Sequence, residues 1–124
     1  MAEPDILIYV ATRYLPEHAP EQPGKYAFAY HITIQNRSDV TVQLLNRYWL
    51  ITDANGKSSE IRGAGVVGKQ PIIEPGDEFQ YTSGAIIDTP VGNMQGYYEM
   101  TTDNGLEFRA PIDIFTLAVP NVIN

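Results

Sequence analysis

The chain has 124 residues, no cysteine, and fifteen Asp and Glu against eight Lys and Arg, a formal charge of −7. That length fits one domain, taken as residues 1–124, and the lack of cysteine excludes disulfides and thiolate metal centres. The acidic balance argues against a nucleic-acid binder, which neutralises phosphates with Lys and Arg, and against an electrostatic anchor on anionic lipid.

No apolar run approaches the roughly 20 residues that span a bilayer. Met1–Asp5 lacks the basic start and apolar stretch of a signal peptide, so the expectation is a soluble cytoplasmic protein. In chain order, Asp5–Leu15 reads as a first strand. Pro16–Gly24 follows as a long irregular loop. From Tyr26 to Gln35 every second residue is large and apolar, which places Tyr26, Phe28, Tyr30, Ile32 and Ile34 on one face of a sheet. Thr41–Thr52 is apolar on both faces, the pattern of a central or covered strand. Asp53-Ala54-Asn55-Gly56 is a hairpin signal, and Asn-Gly favours a type I′ turn because it accepts positive φ. Gly63–Gly76 reads as a second long loop, closed by a type II turn at Pro75-Gly76 before a strand over Asp77–Ser83. Gly96–Thr102 and Leu106–Ala110 flank another Asn-Gly at Asn104-Gly105, and Ile112–Val119 is the last strand. No stretch of a dozen residues keeps helical spacing without Pro or Gly. The fold class is therefore all-β, a sandwich of seven to eight short strands.

Candidate chemistry is sparse. Arg62-Gly63-Ala64-Gly65-Val66-Val67-Gly68-Lys69 contains G-x-G-x-x-G, but Pro71 follows the last glycine by three residues and no helix opens to receive a pyrophosphate. The dinucleotide reading fails there. A kinase reading fails on chain length and on the missing H-R-D catalytic loop. What survives is a backbone anion nest at Gly63, Gly65 and Gly68, flanked by the positive charges of Arg62 and Lys69, weighed against a bulged loop whose glycines only permit unusual φ.

The two histidines, His18 and His31, have no metal-ligand spacing, and no nucleophile elbow surrounds Ser83-Gly84. Asp53, Asp77, Asp88 and Asp103 lie near turns, where Asp bonds its own backbone, and form no calcium-loop array. These observations give no catalytic residues, no metal ligands and no cofactor. Trp49 reads as core, and Tyr14, Tyr97 or Tyr98 as candidates for a recognition patch.

Arg13-Tyr14-Leu15-Pro16-Glu17, Tyr30–Ile34, Arg47-Tyr48-Trp49-Leu50-Ile51-Thr52-Asp53, the Gly63–Gly68 motif, Thr82-Ser83-Gly84, Asp88-Thr89-Pro90-Val91-Gly92 and Phe115–Pro120 occur in the order seen in ApaG proteins. From about Ile6 to the C-terminus the chain resembles that family. The resemblance implies a fibronectin type III-like antiparallel sandwich and an association with cobalt and magnesium tolerance or efflux. Related domains fused to F-box and polymerase-interacting proteins imply a recognition module. Pyrophosphate or nucleotide binding at Gly63, Gly65 and Gly68 is also implied. The chain departs from many relatives at Tyr48, where they have His, and at Ala85, where they have Cys, which argues against direct metal ligation. The expectation is a non-enzymatic binding or regulatory module acting through a protein partner. A phosphate-ligand sensor is the alternative, and pairing of two copies through a sheet edge is a further expectation.

Overall fold

A computed structural model describes residues 3–18 and 23–120. Eight strands follow in order: β1 Ile6–Tyr14, β2 Tyr26–Asn36, β3 Val42–Asp53, β4 Ser58–Ala64, β5 Ile72–Ile73, β6 Glu78–Ile87, β7 Val91–Thr102 and β8 Glu107–Ala118. One 3₁₀ turn, Pro16–His18, follows β1. The strands form two antiparallel sheets, β1-β2-β6 and β4-β3-β7-β8, with the short β5 beside β3.

The alternation in β2 sets the first layer: Phe28, Tyr30, Ile32 and Ile34 are buried, and the residues between them are partly exposed. Leu44, Trp49, Ile51, Met94, Tyr98, Met100 and Leu117 supply the facing layer, and together they make one continuous core. Trp49 lies edge-on to Tyr30, Tyr98 and Phe115, and its indole N–H has no hydrogen-bond partner among the described residues. Tyr98 is also fully buried, its hydroxyl bonded to that of Tyr81. Tyr98 is therefore core and not part of a surface patch. The Tyr81–Tyr98 bond joins β6 of one sheet to β7 of the other.

The double apolar pattern of β3 has a local cause. The register against β7 shifts between Leu44 and Asn46, so a bulge at Leu45 moves the inward set from Val42 and Leu44 to Arg47, Trp49 and Ile51. The strand is also central, paired with β4 on one side and β7 on the other.

Several sequence-based boundaries change. The strand read as Gly96–Thr102 begins at Val91, because Gly92 and Gly96 do not break it. A Cβ at Gly96 would lie 1.9 Å from the Tyr48 carbonyl oxygen, so this glycine permits close backbone approach inside the sheet. Leu106–Ala110 and Ile112–Val119 are one strand that runs through Pro111. Proline is tolerated there because β8 is an edge strand, with one side free of ladder bonds among the described residues. The Gly63–Gly76 loop is largely structured, with β4 reaching Ala64 and β5 lying beyond it. Part of the Pro16–Gly24 loop, 19–22, lies outside the described residues.

The turn types also differ from expectation. At Asp53–Gly56 the Gly56 N–H donates to Asp53 O at 3.1 Å, Asn55 keeps negative φ, and only Gly56 is left-handed at +81°. This is a type I turn closed by a glycine bulge, not type I′. Thr102–Gly105 repeats it, with Gly105 donating to Thr102 O at 3.0 Å and a φ of +90° at Gly105. Pro75-Gly76 keeps the expected geometry: Gly76 has φ +82° and Asp77 donates to Glu74 O at 3.0 Å.

Candidate functional site

The glycine motif folds into a narrow hairpin fastened to the β3 bulge. Val66 and Lys69 exchange backbone bonds of 2.8 and 2.9 Å, and the two residues between them are both left-handed, Val67 at φ +44° and Gly68 at +80°. That is a type I′ turn. Its base is held firmly. The carbonyl of Leu45, in the bulge, accepts the Gly65 N–H at 2.8 Å and the Gln70 side-chain amide at 2.9 Å. Arg47, facing inward from β3, donates to the carbonyls of Ala64 and Gly65 at 3.2 and 2.9 Å. Val66 is buried in the core.

Each glycine of the motif meets a steric or backbone demand. A Cβ at Gly63 would lie 2.8 Å from the Arg47 guanidinium. One at Gly65 would lie 2.2 Å from the Lys69 carbonyl oxygen, and Gly65 itself has φ +64°. Gly68 occupies the second left-handed position of the turn.

The motif's flanking charges are separated by the fold. Arg62 lies on β4, its guanidinium 4.4 Å from the centre of the Tyr48 ring and 3.4 Å from a Glu60 carboxylate oxygen. Lys69 sits in the hairpin and is exposed. The backbone amides of Gly65, Val66 and Lys69 are engaged within the protein, which leaves the Val67 and Gly68 N–H groups outside the hairpin's bonds.

Beside the hairpin, the outer face of the second sheet carries a row of side chains that crosses four strands. Arg62 of β4 covers Tyr48 of β3, Tyr48 stacks on Tyr97 of β7 at 4.9 Å, and Arg109 of β8 lies 4.3 Å from the Tyr97 ring centre. Tyr48 donates to Glu60 at 2.6 Å, and this bond is the main reason its phenol is held above the ordinary tyrosine value. A cleft of about 330 Å³ at the β3–β4 margin is lined by residues that include Arg47, Arg62, Gly63 and Glu99. Of the other aromatic candidates, Tyr97 belongs to this row and Tyr14 packs on Phe28.

A profile of the ApaG domain matches residues 16–102. Protein ApaG of Escherichia coli K12 is 51% identical over 121 residues, covering 98% of this chain and 97% of that protein. The chain belongs to the ApaG family. Protein ApaG of Shigella boydii matches to the same extent. The crystal structure of the putative ApaA protein from Bordetella pertussis superposes with a TM-score of 0.91 at 42% identity, covering 95% of this chain and 96% of the other. An X-ray structure of a structural-genomics target gives the same TM-score at 45% identity, covering 96% and 90%.

In this ApaG-family chain, Asp53 accepts the N–H groups of Asn55 and Lys57 at 2.9 and 3.0 Å, as an Asp in a turn does. Asp88 bonds Lys25 and Lys57, and these contacts, Lys25 first, hold its carboxyl below the usual aspartate value. His31 bonds Thr82 at 2.7 Å and Gln80 at 3.1 Å. Among the described residues, no three His, Asp or Glu side chains converge to hold a metal ion. Sequence reasoning missed Arg47 and Val67. Nothing local marks Arg47 as inward-facing, because that depends on the bulge two residues earlier. Val67 could have been found only by recognising that Val67-Gly68 occupies a two-residue turn.

Proposed function

We propose that this chain is a non-enzymatic cytoplasmic binding module that influences cobalt and magnesium tolerance through a protein partner, with the 65–69 hairpin as its contact element. Val67 is the observation that carries the reading. Among the described residues it is the one non-glycine with positive φ, and the residue is 53% exposed. A β-branched residue in the left-handed region costs roughly 1–2 kcal/mol, and Asn in front of Gly68 would avoid most of that. So exposed a side chain recovers little of this cost from its own fold. The residues around it are held by Arg47, Leu45 and Val66, so the strain is confined to a rigid, apolar tip. Such a tip suits an anchor that enters a partner's pocket without ordering cost. The link to cobalt and magnesium comes from the family resemblance. No helix among the described residues is long and apolar enough to cross a membrane, so ion movement is assigned to the partner.

The test is growth in cobalt of a deletion strain carrying wild-type protein or V67N at equal abundance. Wild type is expected to restore tolerance and V67N to fail. Equal rescue by both would reject the hairpin as the contact, and normal tolerance without the gene would end the cobalt link.

A second reading, a pyrophosphate or nucleotide sensor, draws support from the Val67 and Gly68 amides beside Lys69, which have no backbone partner among the described residues. An NMR titration with pyrophosphate should then move those two amide signals. Unmoved signals at millimolar ligand would dispose of it.

A further inference from the structure

The two sheets meet unevenly. On one side β1 lies beside β8. On the other, β4 and β6 leave a cleft of about 530 Å³ whose lining includes Phe28, Ile51, Ile61, Ala85 and Ile86. Ile61 is 42% exposed and Ile86 59%. Both bordering strands are sheet edges.

The strands at the sheet margins are not equivalent. β4 carries Glu60 and Arg62, and β8 carries Glu107, Arg109, Pro111 and Asp113, residues that discourage strand pairing. β1 has β8 next to it. The β6 edge from Phe79 to Ile87 is FQYTSGAII, with no charge and no proline. Among the described residues its outer row of N–H and C=O groups has no strand partner, since β6 pairs there with β2 alone. A nine-residue edge without such protection invites another strand.

We infer that the occupant is a second copy of this chain, joined antiparallel along β6 about a two-fold axis at Ser83, so that β1-β2-β6 becomes a continuous six-stranded sheet. Charge selects this partner and register. Two copies at −7 repel over most of their surfaces, and β6 lets them approach along a neutral strip. Centred on Ser83, Glu78 of one copy falls opposite Asp88 of the other, where Lys25 and Lys57 supply two positive charges. A two-fold axis normal to the sheet also leaves both β4 strands on the same side. The two clefts then merge, and Ile61 and Ala85 of each copy close over one shared apolar strip. The hairpin tip at Val67 is not used, so this inference is independent of the proposed function.

Sedimentation equilibrium of the wild-type protein, of I86K and of S83C tests it. The wild type is expected at twice the monomer mass, with I86K raising the dissociation constant at least tenfold. Because the chain has no cysteine, S83C introduces a single thiol. Directly opposed residues in an antiparallel pair lie about 4.5–5.5 Å apart at Cα, within disulfide reach, so mild oxidation should link S83C into a dimer. D113C, on the edge strand β8, should stay unlinked. A wild-type monomer up to millimolar concentration would overturn the inference. So would a dimer that tolerates I86K, or one in which D113C is linked and S83C is not.

Discussion

Gly65 shows how little freedom the motif has at the level of single residues. Its φ of +64° is strained for any side chain, and a methyl group there would press within 2.2 Å of a backbone oxygen that cannot move without opening the hairpin. G65A should therefore cost at least ~2 kcal/mol in urea denaturation. G68A, with open space around the added methyl, should cost only the conformational term, about 1 kcal/mol. The need for glycine at these positions was legible from the sequence, and so was one reason for it, the left-handed φ that Gly65 and Gly68 adopt; the close contacts of Gly63 and Gly65 with Arg47 and Lys69 were not legible. Spacing suggests amides gathered for an anion, whereas the fold spends three of them on its own backbone and sets Arg47 against the intervening carbonyls. The turn chemistry was legible only in part. Asn55-Gly56 and Asn104-Gly105 mark two hairpins correctly, yet both take the type I form with a glycine bulge, and the type I′ form goes to Val67-Gly68. Turn type follows from how many residues the two strands leave between their last paired positions, which is a property of register and not of the dipeptide.

Among the elements, β2 was legible because one face is core and the other is not. β3 was legible as one strand but not in its facing, because a bulge resets its parity, whereas β7 and β8 read as fragments because Gly96 and Pro111 look like interruptions while sitting inside strands. The bond between Tyr81 and Tyr98 ties β6 to β7 across the core, and no pattern within either strand announces it. Y81F leaves the Tyr98 hydroxyl buried without its partner and should cost ~1–3 kcal/mol; adding Y98F should cost less than the sum of the single changes. Chemical denaturation of the four proteins in that cycle measures the coupling. Burial, the main cause for both phenols, pushes their ionisation above the ordinary tyrosine value. The unfolded chain releases these protons near pH ~10 and the folded chain retains them, so their contribution to stability is intact below that pH and is lost as pH rises beyond it. Unfolding midpoints measured from pH 8 to 12 should fall for the wild type and fall less steeply for Y81F/Y98F.

For the molecule as a whole, the fold places its distinctive features in different regions. The neutral β6 edge and apolar cleft lie where the sheets part, and the glycine hairpin is fastened to the bulge of β3. The acidic composition argues against partners such as nucleic acid, but proposing a contact element needed the φ angle at one residue, which sequence does not display. If the hairpin is a contact element, Val67 is kept at a cost to the fold. The decisive measurement is the unfolding free energy of V67N against wild type, from urea titration at neutral pH. A gain of about 1 kcal/mol is predicted for V67N, because Asn followed by Gly is the pair a type I′ turn prefers. A loss of stability would refute the proposal, since Val67 would then be serving its own fold and not an outside partner.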